Sequence, residues 1–343
     1  MLLVPLALPA CVWSLGDGQE TAAARSAREL CVVPPDPAVW FQVAGTISLA
    51  LPQGSYWLFG DTAFTAPNAA GETGIANSGA VMAARPAAGA CAGALAYVAD
   101  AGGWPVQVIP STDEERAWNA ARTDGARRVV WPTGGFVAGG AAYVYFDRLE
   151  VHGYLDIARL GAGVARIDAA GGLATRLGGD LWVAPQPSWG TGAFLDADGY
   201  AYLYGCFHRG DFDDPCRVAR VRPAEVADAG AYRYWNGADW SERPEAAAAV
   251  FAGAGAVSVS WNEHLGAYAA VGAGALSNTI ALYTAPRPWG PWSGPRALFA
   301  GVAPASFWVG AAYEHPEWRQ DAGRRLLVSY SSDGLRLVDV ELW

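Results

Sequence analysis

Apolar and polar positions alternate along this chain in short runs, and the runs come in pairs. The clearest pair spans Ala44–Asp61: an apolar run, a turn at Gly54, then a run rich in aromatic residues that ends on Gly60 and Asp61. Four later segments have the same form, Thr133–Arg148, Thr191–Cys206, Ser258–Ala273 and His315–Ser332. Runs rich in Tyr, Val and Leu bounded by glycine-bearing turns predict antiparallel strands. The aligned turn glycines are Gly54, Gly140, Gly199, Gly266 and Gly323, at intervals of 86, 59, 67 and 57 residues. Strand-built units recurring every roughly 40–50 residues or slightly more point to propeller blades. Five hairpins therefore predict an all-β protein, a single five-bladed β-propeller over residues 32–343.

Helical patterns are nearly absent. Ser111–Ala121 predicts one short helix, and Glu20–Glu29 is Ala-rich but flanked by loop. Residues 12–31 read as a polar tether ahead of the propeller. The last run, Leu335–Trp343, has the look of an outer strand. Propellers close by pairing strands from the two chain ends, and Val39–Leu51 is the expected partner.

Composition narrows the partners. A hydrophobic fraction of 52% with Gly 42, Pro 22 and Trp 16 suits one large β unit of 343 residues. The net charge of −10 and only 23 scattered basic residues exclude nucleic acid, whose phosphates need clustered Lys and Arg. An acidic surface over an aromatic interior fits a neutral polysaccharide or oligosaccharide, bound by a monomer.

Met1–Ala10 is apolar but too short to span a bilayer. Leu8, Pro9, Ala10 and Cys11 resemble the end of a bacterial lipoprotein signal, so residues 1–11 are expected to be a signal remnant with Cys11 lipidated. This implies an exported protein that meets the membrane only through a lipid anchor. Setting Cys11 aside leaves four cysteines. Cys206 and Cys216 flank a loop short enough for a disulfide, and Cys31 with Cys91 would tie the chain entry to blade one. Buried free thiols in a cytosolic protein are the alternative. No spacing among them suggests zinc.

Several motifs together carry a resemblance. They are Trp57–Phe64 (W-L-F-G-D-T-A-F), the strand opening at Asn77-Ser78, Trp131-Pro132, Thr284–Ser293 (T-A-P-R-P-W-G-P-W-S), Glu314–Glu317 (E-H-P-E) and Ser329-Tyr330. In these the chain resembles a family of bacterial secreted proteins, formerly a domain of unknown function, that includes the endo-D-arabinanases of glycoside hydrolase family 183. The resemblance runs over roughly Val39–Trp343 and implies a five-bladed propeller acting on furanose-rich, arabinan-like polysaccharide.

Glycoside hydrolysis needs two carboxylates flanking the bond, one giving a proton and one attacking or activating water. Asp61 and Glu314, at ends of apolar strands, are the candidate pair. Glu314 is the expected acid, since Tyr313 and Trp318 should raise its pKa; Asp61 should stay ionised. Glu263 is a third candidate, weighed against a solvated hairpin tip. Asn77, Trp131, Trp189, Trp261, Glu263 and His315 are expected to bind substrate, the tryptophans by stacking on sugar faces. Core packing must claim most of the 16 tryptophans. Glu317 reads as a loop charge and Asp147 as the ion-pair partner of Arg148. No cofactor or metal site is predicted; a structural Ca²⁺ or Na⁺ on the axis would be compatible but nothing demands it. A propeller that binds glycan or protein without cleaving it is the competing reading.

Overall fold

Five strands form an inner ring: Ile47–Leu51, Arg127–Ala138, Gly192–Leu195, Val257–Asn262 and Gly310–Glu314, each beside the next. Ser48 in the first and His315 after the last close the circle. The computed structural model describes residues 22–33, 39–42, 47–153, 156–206, 215–252, 256–274, 277–302, 309–332 and 334–343. Each inner strand opens an antiparallel sheet, and the five sheets are the five blades of a β-propeller. Four of the five aligned glycines sit in the turn between a blade's first and second strands and Gly54 opens the second strand itself, with φ from 57° to 134° over the five. That left-handed region is strained for other residues, which is why glycine marks each turn.

Blades stacked face to face are buried on both sides, so their middle strands read as continuous apolar runs. Gly54–Phe59 shows how this works. Tyr56 and Leu58 pack into the gap toward blade two, while Trp57 and Phe59 pack into the gap toward blade five. In blade three, Ala201 and Leu203 face blade two, and Tyr202 and Tyr204 face blade four. The fifth gap, between blades four and five, is filled from Val271, Leu282, Leu326 and Val338. At the ring itself the blades come too close for some side chains. A Cβ on Gly134 would stand 2.0 Å from the Gly190 carbonyl oxygen.

Closure differs from expectation. Ala24–Val33 is the outermost strand of blade five, paired with Gly334–Leu342 from Ala24↔Leu342 to Val33↔Leu335. Ile47–Leu51 is instead the inner strand of blade one, and Val39–Gln42 pairs with Thr62–Phe64 in a small separate sheet. The polarity that reads as a tether belongs to an edge strand, whose outer face meets water. There Glu29 receives Arg336 at 2.7 Å and Arg25 faces Glu341 at 3.8 Å.

The predicted helix is Asp113–Ala120, started by Thr112 and Glu115 in a capping box. Disulfides join Cys31 to Cys91 and Cys206 to Cys216. The first ties the closing strand to blade one; the second bridges neighbouring strands of blade three. Cys11 lies outside the described residues. No described helix is long and apolar enough to cross a membrane.

Candidate active site

Asp61 follows the second strand of blade one, at the end of the axis where the inner strands begin. Strand geometry ends at Phe59, and Gly60 turns the carboxylate toward blade two. Arg127, the first residue of that blade's inner strand, grips it with Nη1 at 3.2 Å from Oδ1 and Nη2 at 2.5 Å from Oδ2. The Trp131 indole Nε1–H donates to Oδ1 at 2.9 Å. The Asp61 side chain keeps 23% of its surface exposed, so this mouth offers an accessible carboxylate with an indole beside it. Asp61 and Trp131 are candidates that the sequence offers, and Arg127 is not among them. The signal for it was there: Arg127-Arg128 opening an otherwise apolar strand.

Asp147 sits across from Trp131 in the second strand of blade two. Its expected partner Arg148 points the other way, to Glu115 at 3.4 Å and Asp180 at 3.5 Å. Adjacent strand residues face opposite sides, so the pairing read from the sequence was not available. Ser188 Oγ–H reaches Asp147 Oδ2 at 3.5 Å, and Oδ1 is buried with no hydrogen-bond partner among the described residues. Burial pushes this carboxyl up to about 6, against the opposing pull of Arg159 and Ser188.

Glu314 lies elsewhere and in a different environment. It is fully buried, and Arg319 clasps both its oxygens, Nε to Oε1 at 2.7 Å and Nη2 to Oε2 at 2.9 Å. Its backbone N–H donates to Ser258 Oγ at 2.9 Å, which ties blade five to blade four. The expectation that Glu314 is an acid facing substrate is therefore corrected: no surface remains for a glycan to touch. Asp61 also stands four residues beyond Trp57, the partner of Ser48, which contacts His315. Two of those residues, up to Phe59, continue the strand, a rise of roughly 7 Å, before Gly60 turns the chain. The structure brings Asp61 and Trp131 together and leaves Glu314 below them, between blades.

His315 is likewise sealed inside. Ser48 Oγ is 2.6 Å from its Nδ1, Ser329 Oγ is 2.8 Å from its Nε2, and Trp57 stacks on the ring at 4.1 Å. Glu317, read as a loop charge, is drawn inward by Ser48 at 2.5 Å and by Ser55. Burial raises its pKa, with the serine hydrogen bonds working against that. Trp189 is a core residue, buried against Tyr234 with ring centres 4.9 Å apart, so it cannot stack on a sugar. Trp261 is 43% exposed but lies near the end of its inner strand, at the opposite end of the axis from Asp61. Glu263 is the exposed tip of the next turn, accepting from Gly266 N–H at 3.2 Å through its backbone.

Asn77 is buried as a brace between blades one and two. It donates to the carbonyls of Ile109 (3.1 Å) and Val130 (3.0 Å), and its Oδ1 accepts from Ile109 N–H at 2.9 Å. All its polar atoms are spent on backbone, so none is left for substrate. An Asn77→Ala variant strands these groups and should lose about 2 kcal/mol of stability. Urea midpoints measure this; an unchanged midpoint at unchanged slope would refute the brace. Among the described residues no group of three or more His, Cys, Asp or Glu side chains converges to hold a metal.

Fold and mouth define a five-bladed propeller with a carboxylate, an arginine and an indole at one end of its axis. The chain belongs to the family described as domain of unknown function DUF4185, whose model matches residues 41–333. Its fold is similar to that of a putative hydrolase from Bacteroides ovatus, at TM-score 0.63 and 15% identity over 89% of this chain and 87% of that one. It is also similar to a GH43_1 enzyme from Xanthomonas citri, at TM-score 0.53 and 16% identity over 93% and 90% of the two chains. The same enzyme complexed with xylotriose aligns at TM-score 0.53 and 17% identity, over 93% and 90%. Curated protein sequences gave no match.

Proposed function

We propose that the protein is a glycoside hydrolase acting on furanose-rich, arabinan-like polysaccharide of the cell envelope or its surroundings. One observation carries this reading: Asp61 is an accessible carboxylate at the mouth of the axis, positioned by Arg127 and flanked by Trp131. A carboxylate serves as base or nucleophile in glycoside cleavage, and an indole face can hold a sugar ring. The fold shared with a propeller enzyme solved with xylotriose supports the class, and the motif resemblance supports the furanose substrate. Two disulfides favour an oxidising compartment, consistent with export and a lipid anchor at Cys11.

The test is incubation with purified arabinans, fructans and xylans, reading released oligosaccharides. Asp61→Asn should reduce release by about 100-fold or more, the scale of a lost acid–base group. Full activity in that variant, with its melting temperature unchanged, would remove Asp61 from the chemistry. Binding without release from any polymer would favour the glycan-binding propeller instead.

A further inference from the structure

With Glu314 committed to an ion pair with Arg319 inside blade five, the mouth still needs a second carboxyl, and this inference rests on the glycosidase reading. We infer that Asp147 is the proton donor of the site, working with Asp61 across Trp131. Trp131 and Asp147 are cross-strand partners, a relation that places Cα atoms about 4.5–5.5 Å apart. The Trp131 indole in turn reaches Asp61. Both aspartates therefore neighbour the same tryptophan.

Their surroundings differ in the way an acid–base pair requires. Asp61 has both its oxygens held, by the Arg127 guanidinium and by the Trp131 N–H. Asp147 has one oxygen buried without a donor and the other served only by the Ser188 hydroxyl at 3.5 Å. Arg159 is the charge whose field reaches it, and burial outweighs that field. A carboxyl so placed can hold a proton up to about pH 6 and release it to the leaving oxygen.

The step balances as follows. Asp147 gives its proton to the leaving oxygen as the anomeric C–O bond breaks. Water forms the new bond at the anomeric carbon and passes its proton to Asp61. One water is consumed, and proton exchange with solvent restores both carboxyls.

The experiment compares wild type with Asp147→Asn on arabinan and on an aryl arabinofuranoside whose phenolate leaves without protonation. Release from arabinan should fall about 100-fold, while aryl glycoside cleavage falls less than about tenfold. In wild type the arabinan rate should decline as pH rises through about 6, and this limb should vanish in the variant. Equal losses on both substrates, or a retained limb, overturn the assignment while leaving the glycosidase reading intact. Wild type inactive on every glycan overturns both. As a readout apart from activity, carbon-13 carboxyl NMR should show one aspartate titrating near 6 that disappears in Asp147→Asn. Its absence from the wild-type spectrum also rejects the assignment.

Discussion

Arg319→Met is expected to destabilise the propeller by about 3–5 kcal/mol, the scale set by stranding a buried charge. Glu314 has no exposed surface, and the Arg319 side chain keeps only 13% of its own. The guanidinium bonds both carboxylate oxygens and also reaches Ser260 Oγ at 2.6 Å and the Trp261 carbonyl. Removing it leaves a carboxylate with neither solvent nor counter-charge. The pair itself need not be worth that much, because both ions were desolvated to make it. The double variant Glu314→Gln/Arg319→Met, which removes both charges, should therefore recover much of the loss. Urea unfolding of the three proteins decides the matter. A single variant within about 1 kcal/mol of wild type would mean that water reaches Glu314 and would reject this account of the pair. The same argument bears on activity tests: loss of turnover in Glu314→Gln alone reflects the interblade joint unless the fold is shown intact.

Repetition made the fold legible. Each turn glycine answers a local demand on φ, so Gly54, Gly140, Gly199, Gly266 and Gly323 could be aligned without knowing what the blades pack against. Closure was less legible because Ala24–Val33 earns its place through pairing with Gly334–Leu342, some three hundred residues away, and its polar face resembles a linker. The site divided along the same line. Asp61 and Trp131 stand near strand ends, where sequence position predicts exposure. Glu314 also follows an apolar run, but what buries it is Arg319 and the neighbouring blade, and neither is visible in the run itself. Trp189 shows the limit for aromatics: as far as the sequence shows, a tryptophan before a strand looks the same whether it faces a channel or a core.

Acidification should weaken the closing joint between blades one and five through His315. Burial holds this imidazole's pKa down to about 3, against an ordinary 6.5. The folded state therefore keeps it neutral while the unfolded chain takes up a proton below 6.5. The stability it contributes is complete above that pH and is lost as pH falls toward 3, at about 1.4 kcal/mol per unit. Between pH 7 and pH 4.5 the loss should be about 3 kcal/mol. Glu317, which shares Ser48 with His315, acts in the opposite sense. Burial raises its pKa, so protonation on acidification restores some stability as pH approaches the usual carboxylate range. The histidine's share is thus read as a difference between proteins. His315→Gln keeps a side chain able to bond Ser48 and Ser329 but cannot gain a charge. Its unfolding midpoint in urea should decline less steeply from pH 7 to pH 4.5 than that of wild type. Parallel pH profiles for the two proteins would show that His315 takes up its proton without opening the joint, and would reject this account of how the ring is closed.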